Sequence, residues 1–497
     1  MHFIGVDIGS SFVKASVIEA ETGRCIGAAT VPDHEMPIGA LHPGWAEQDP
    51  DLWWKHCCTA VRTATAKAAL VGPLNISAIG ISYQMHGLVL LGKNGKALRP
   101  AIIWCDGRAV EIGNQAFKDL GPEMCLWRFL NSPGNFTASK LKWVKDNEPA
   151  IFSQISKLML PGDYIAYRMT GNATTTIGGL SEGILWDFSE NKPAAAVMDY
   201  YGIPADFLPN IVPTFGIQGE LSQEGAEELG LDRGTPVTYR AGDQPNNAFS
   251  LNVLEPGEVA ATAGTSGVIY GVSDTLAVDP ASRVNVFAHV NHSAQKNRLG
   301  VLLCVNGTGI ANAWTKRLLG ETMTYEEMNR LAATVPIGSD GLCMVPFGNG
   351  PERMLNNQDI GASLHGIDFN RHTKAHICRA VQEGIAFALQ YGVKVMERMG
   401  VKARRIRAGR ANMFLSEVFR DTLGGTMGAV IELYATDGAQ GAARGAGKGL
   451  GVFPDFPSAF KGLSRETSIE PDTKMGPQYT AAYARWQDVM EKQRKPA

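Results

Sequence analysis

The chain has 497 residues, 44% hydrophobic and 19% charged, with a formal net charge of −3. This fits a folded protein of two or more domains with a sizeable core and excludes a disordered or fibrous chain. The near-neutral balance argues against nucleic acid or an anionic membrane as the main partner, and no uncharged apolar run approaches the roughly 18–20 residues that span a bilayer. The opening Met-His-Phe-Ile-Gly-Val-Asp lacks a basic n-region and carries an acid by position 7, so it does not read as a signal peptide. A cytoplasmic location is expected. The eight cysteines (25, 57, 58, 105, 125, 304, 343 and 378) form no CxxC pair and read as reduced, mostly buried thiols, not a zinc site or disulfide framework.

In chain order, residues 3–7 read as a strand running into Gly9-Ser10-Ser11, and residues 13–18 as the returning strand. Glu21-Thr22-Gly23-Arg24 forms a turn before a third strand over 25–29, so the start reads as an antiparallel meander. Asp51-Leu52-Trp53-Trp54 opens a helix toward Ala68, and Lys140-Leu141-Lys142-Trp143-Val144 lies in another. Residues 258–262 read as a strand ending in Ala263-Gly264-Thr265-Ser266-Gly267, with a returning strand over 268–272. The segments 7–11 and 262–266 form a weak internal repeat about 255 positions apart, which predicts two related α/β halves. The boundary is expected near residue 240, giving domains 1–240 and 241–497. Tyr479, Tyr483 and Trp486 share one face of a terminal helix and read as core.

Three glycine-rich segments are candidates for phosphate. The stretch Gly441-Ala442-Ala443-Arg444-Gly445-Ala446-Gly447-Lys448-Gly449 fails as a P-loop: Ala442 stands where the first glycine is needed, and Gly449 follows the lysine where Ser or Thr should bind magnesium. No clear strand immediately precedes it, so a dinucleotide fingerprint is also poor. The other two are the repeated turns, whose bare backbone N–H groups and hydroxyls suit phosphate oxygens. Asp7, ending the strand before the first turn, can hold a hydrated magnesium ion, and Lys14 can neutralise phosphate charge. Two such turns facing each other across a cleft would grip one polyphosphate from both sides. A lone Gly-Ser turn is more often a plain hairpin; the pairing favours phosphate.

Several further segments occur in a definite order: Asp7-Ile8-Gly9-Ser10-Ser11-Phe12-Val13-Lys14, Gly44-Trp45-Ala46-Glu47-Gln48-Asp49-Pro50, Gln84-Met85-His86-Gly87, and the run from Arg99-Pro100-Ala101 to Trp104-Cys105-Asp106-Gly107-Arg108. Phe136-Thr137-Ala138-Ser139-Lys140-Leu141-Lys142-Trp143-Val144, Gly264-Thr265-Ser266-Gly267 and Ser363-Leu364-His365-Gly366-Ile367, continuing to Glu383-Gly384, follow. Together these resemble the FGGY carbohydrate kinases, of the actin-like ATPase superfamily, over nearly the whole length. The segments around Met85 and Trp104 resemble the xylulose kinase branch.

The resemblance implies an α/β fold of two actin-like (ribonuclease H-like) ATPase domains flanking a central cleft, closing over ATP-Mg2+ and a small-molecule sugar. It implies Asp243, in Gly242-Asp243-Gln244, as catalytic base, and Gln84, Met85, His86, Trp104, Asp106, Asp243 and Gln244 as acceptor-site residues. For Trp104 a core role, and for Asp106 a structural pairing with Arg108, stay open. ATP contacts are expected from Gly9, Ser10, Ser11, Lys14, Gly264, Thr265, Ser266, Gly309, Ala408, Gly409, Arg410 and Asn412, with Asp7 at the metal. Three departures stand out. Ala408-Gly409-Arg410-Ala411-Asn412 replaces a run of glycines, leaving Arg410 to stack on adenine, pair a phosphate or face solvent. Gln244 follows the base where xylulose kinases carry Asn, and Gln382 breaks the last signature, where a helix-surface effect is expected. The implied reaction is phosphorylation of a ketose, D-xylulose to D-xylulose 5-phosphate. Ribulose, fuculose, gluconate or sedoheptulose are alternative acceptors, and an actin-like ATPase without a sugar substrate is the alternative from another class. No nucleic-acid or membrane partner is expected, and a homodimer is the candidate assembly.

Overall fold

The apolar runs at the amino terminus form strands β1 (His2–Ile8), β2 (Val13–Glu19) and β3 (Cys25–Val31), paired antiparallel in succession. Strand β4 (Ile76–Tyr83) runs parallel to β1. Strand β5 (Phe215–Glu220) pairs antiparallel with β6 (Pro236–Gly242), which runs parallel to β4. The sheet order is β5-β6-β4-β1-β2-β3. The computed structural model describes residues 1–494.

Alternation along β1 sends its side chains to two different cores. Ile4, Val6 and Ile8 join Trp53, Cys57, Ala60 and Ala64 of the helix Pro50–Ala69 on one face. Asp49 caps that helix, accepting a hydrogen bond from the Asp51 N–H. Phe3 joins Ala78, Ala443, Ala446 and Phe453 on the other face. The glycine-rich stretch that invited a phosphate reading is the helix Gly438–Gly449, reached from a strand ending at Tyr434 through an Asp437 cap. A Cβ on Gly5 would fall inside the backbone of Ala439 and Ala443, and one on Gly80 inside that of Ala442. Small residues on both partners therefore serve close helix-on-sheet packing. Arg444 is buried and donates to the carbonyls of Ala459, Lys461 and Gly23.

This first unit comprises Met1–Leu254, Phe287–Leu299 and Thr436–Leu463. The boundary expected near 240 falls inside β6, because the strand and helix over 236–250 complete the first sheet.

The second unit comprises Glu255–Val286, Gly300–Ala435 and the residues from Ser464 onward. Six of the seven strands of its sheet, β7 (Val259–Ala263), β8 (Gly267–Ser273), β9 (Leu299–Val305), β10 (Arg405–Gly409), β11 (Val430–Tyr434) and β12 (Arg465–Ile469), lie in the order β9-β8-β7-β10-β11-β12. Strand β7 is antiparallel to β8 and parallel to β10, β10 is parallel to β11, and β11 is antiparallel to β12. The plan of the first unit thus recurs: each is an actin-like, ribonuclease H-like α/β domain.

The terminal helix Gly476–Gln493 buries Tyr479, Tyr483 and Trp486 in the second unit, with the Trp486 indole N–H donating to the Met344 carbonyl at 2.8 Å. Gln382 lies fully buried in the helix Lys374–Arg398, bonded to Asn329 and Ser416. Its change from the signature is therefore a core polar link, not the surface effect expected. All eight cysteines are free, with Cys25 and Cys105 exposed. Among the described residues, no helix is long and apolar enough to cross a membrane.

Candidate active site

In the first unit, three neighbouring parallel strands deliver the acceptor and metal candidates at their carboxyl ends, where open α/β sheets place ligands. Strand β1 leads through Asp7 to Gly9-Ser10-Ser11, β4 leads to Gln84-Met85-His86, and β6 leads to Gly242-Asp243. The register holds them level: Asp7 lies opposite Ser82, and Gly242 opposite Tyr83. Asp243 begins the helix Asp243–Ser250, whose amino end favours a carboxylate. Burial, and then the charge of Asp7, push its pKa up to about 7. A carboxylate poised there can accept a proton near neutrality.

Asp7 is also shifted upward, mainly by burial, while the Ser82 hydroxyl, donating at 2.7 Å, and Lys14 on the facing strand oppose the shift. Asp437 adds negative field at Asp7. A Cβ on Gly438 would lie 2.5 Å from Asp7 Oδ2, so only glycine lets the helix start come this near. These crowded, hard oxygen donors suit a magnesium ion that keeps several waters and takes one or two carboxylates. No closed cage of three or more His, Cys, Asp or Glu exists among the described residues, and magnesium does not need one.

The Gly9-Ser10-Ser11 turn is braced from outside. Ser10 O accepts from Gln48 Nε2 at 2.7 Å, and the Trp104 indole N–H donates to Ser10 Oγ at 3.3 Å. Trp104 is 44% exposed and is not core. His86 adopts a left-handed φ of 62°, rare outside glycine. Its Nδ1 lies 3.0 Å from the Glu182 carbonyl, which can only accept, so Nδ1 carries a proton. Phe136 and Phe287 flank the ring. Met85 is buried against Gly242, where a Cβ would come within 2.6 Å of Met85 Cγ.

Two expected acceptor residues are buried and bonded within the protein. Gln84 is buried and its amide donates to Gln48 Oε1 at 3.4 Å, supporting the residue that braces Ser10. Asp106 is fully buried, with both oxygens taken by Arg108 and one also by the Ala46 N–H. Of its two open roles, the structural pairing is the one observed. Arg108 in turn lies between Trp45 and Trp143, 3.8 and 4.7 Å from the ring centroids.

Sequence reasoning missed two carboxyl groups. Glu182 is buried beside Gly242, and burial followed by the charge of Asp243 raises its pKa well above the usual range. Asp437 caps a helix that begins more than 400 positions after Asp7 in the chain. Neither stands in a motif, so only the fold reveals them.

In the second unit, the Gly264-Thr265-Ser266 turn follows β7. The Gly309 N–H donates to the Gly264 carbonyl at 2.9 Å and the Ile310 N–H to that of Thr265 at 3.1 Å. A Cβ on Gly309 would overlap the Gly264 carbonyl. Asn412, with φ 53°, places its amide 3.5 Å from where a Gly264 Cβ would stand. The expected nucleotide residues Gly264, Thr265, Gly309 and Asn412 therefore come together. Ala408 is fully buried within β10, so it backs this group, and Gly409 ends the strand. Arg410 is 61% exposed, 3.6 Å from Glu466; it faces solvent.

Two family models cover most of the sequence: the N-terminal domain of the FGGY family of carbohydrate kinases over residues 2–250, and its C-terminal domain over 259–446. The chain belongs to the FGGY family. It is accordingly a carbohydrate kinase. It is 29% identical to a xylulose kinase of Klebsiella pneumoniae over 95% of each chain. It is 30% identical to an L-xylulose/3-keto-L-gulonate kinase of Escherichia coli, over 98% of this chain and 96% of that one. Among solved structures, a xylulose kinase from Rhodospirillum rubrum superposes with a TM-score of 0.86 at 25% identity, over 99% of each chain.

Proposed function

We propose that this FGGY kinase transfers the γ-phosphoryl group of ATP to a ketose, with D-xylulose as acceptor and D-xylulose 5-phosphate as product. The observation that carries the reading is Asp243: a carboxylate held near neutrality, beginning a helix at the end of β6, with Asp7 and Met85-His86 at the ends of the neighbouring strands. The acceptor hydroxyl oxygen bonds to the γ-phosphorus, the bond to the bridging oxygen breaks, and ADP leaves. The hydroxyl proton passes to the Asp243 carboxylate. Asp7 would hold magnesium, which when bound offsets the charge of the phosphate oxygens. Backbone N–H groups and hydroxyls of Ser10-Ser11 in the first unit suit phosphate oxygens, and in the second unit Thr265-Ser266, with Gly309 and Asn412, suit the nucleotide. His86, Trp104 and Gln244 border the acceptor.

Met85, Trp104 and Gln244 carry no charge, which suits a neutral ketose better than an aldonate or 3-keto acid. An anion beside Asp243 would meet like charge. The test is ADP release over D-xylulose, L-xylulose, ribulose, fuculose, sedoheptulose, gluconate and 3-keto-L-gulonate. Preference for D-xylulose is the expected result. Turnover confined to the anionic acceptors overturns the substrate assignment, and ATP hydrolysis without any acceptor overturns the reaction. Eight free cysteines suit the cytoplasmic location we assign it.

A further inference from the structure

Lys140 lies fully buried in the first turn of the helix Thr137–Asn147. Its ammonium donates to two main-chain carbonyls, His86 O and Ile103 O, each at 2.9 Å. Among the described residues no carboxylate pairs directly with it; burial pulls its pKa down to about 8, and Asp106 contributes the leading favourable field. Three physical costs coincide here. A desolvated cation is unfavourable, carbonyls only partly compensate it, and a cation near a helix amino end opposes the helix dipole. An apolar side chain of similar volume would pack there without those costs. Packing alone therefore does not account for a lysine.

The two carbonyls belong to the two segments that form the acceptor wall. His86 closes Gln84-Met85-His86 in its left-handed conformation. Ile103 directly precedes Trp104, whose indole reaches Ser10. The segments also meet through the Leu88 N–H to Ile102 carbonyl bond at 2.9 Å and its reciprocal at 3.2 Å. Lys140 ties them again one step nearer the acceptor.

We propose that Lys140 is a positioning residue of the acceptor site: its ammonium bridges the His86 and Ile103 carbonyls and sets the spacing between the His86 and Trp104 side chains. The inference rests on the reading that His86 and Trp104 border the sugar. Lys140 acts through the backbone, so it governs acceptor binding and leaves the nucleotide residues untouched.

The test compares full-length wild type with Lys140→Met and Lys140→Arg. Initial rates are measured against D-xylulose at saturating ATP and against ATP at saturating D-xylulose. Both substitutions are expected to raise the acceptor KM about tenfold or more, since displacements near 1 Å carry large penalties, while the ATP KM stays within about twofold. A merely structural role would lower kcat for both titrations with the folded fraction and leave both KM values alone. An unchanged acceptor KM, or a parallel rise in the ATP KM, overturns the proposal. The arginine variant keeps a buried cation with a wider planar head, so it carries the test if the methionine variant does not fold. Amide hydrogen exchange over residues 84–88 and 102–106 supplies a readout independent of turnover. Faster exchange in both segments of a variant supports the bridge, and unchanged exchange overturns it. If the wild type phosphorylates no ketose, the acceptor reading fails by itself, and exchange still decides the bridge.

Discussion

In its proposed role as base, Asp243 meets two opposed demands: it must be anionic to take a proton, yet burial and Asp7 both disfavour its charge. The folded state binds the proton more tightly than the unfolded chain does. Its contribution to stability is therefore present below the ordinary aspartate range and is lost as pH rises through about 7. Activity runs the other way. In pH–rate profiles, kcat/KM for the acceptor is expected to fall about tenfold per unit below a midpoint near 7, where Asp243 becomes protonated. Asp243→Asn should reduce turnover by at least about 10²–10⁴-fold while keeping the fold. Thermal melts from pH 4 to 8 should show the variant gaining on the wild type as pH rises; a constant difference across that range would count against the assigned shift. Arg410 gives a contrasting case. Exposed and loosely paired with Glu466, it should tolerate Arg410→Ala with the ATP KM changed less than about threefold and stability within about 0.5 kcal/mol.

The helix Gly438–Gly449 shows how an element can hide its purpose in its composition. Its glycines and alanines let two backbones approach until no Cβ fits between helix and sheet. Gly80→Ala should therefore destabilise by about 1–3 kcal/mol or more, because the added Cβ meets the rigid backbone of Ala442. The same strain would move Asp437 and Gly438 from Asp7, so activity should fall beyond the loss of folded protein. Thermal unfolding and activity per folded molecule separate the two effects. The same residues read from sequence as a failed P-loop, because a run of small residues is common to phosphate loops and to tightly packed helices.

At the scale of the molecule, the first unit is discontinuous: its sheet is covered on one face by residues that arrive late in the chain. A fragment of residues 1–254 would leave Phe3, Ala78 and Tyr239 without their partners Ala442, Ala443 and Ala446. It is expected to lack a cooperative melt by circular dichroism, and a peptide of residues 436–463 added in trans should restore one. A cooperative melt of the fragment alone would refute this account of the unit.

Local periodicity was enough to read the opening meander, the helix Pro50–Ala69, the second strand–turn–strand and the terminal aromatic face, because side-chain spacing alone dictates each. The positions of Asp7, His86, Asp243 and the two glycine-containing turns at strand ends were legible because each sits in a short motif where a strand ends and turns. The rest depends on distance in the chain. Asp106 reads like a ligand until Arg108 and the Ala46 N–H are seen to claim it, and Gln382 reads like a surface residue until its neighbours enclose it. Glu182, Asp437 and the Lys140 bridge have no local signal, since burial and long-range carbonyls create their chemistry. Turn and strand propensities act over a few residues and can be read in one dimension; desolvation and charge coupling act through space, so only the folded chain sets them.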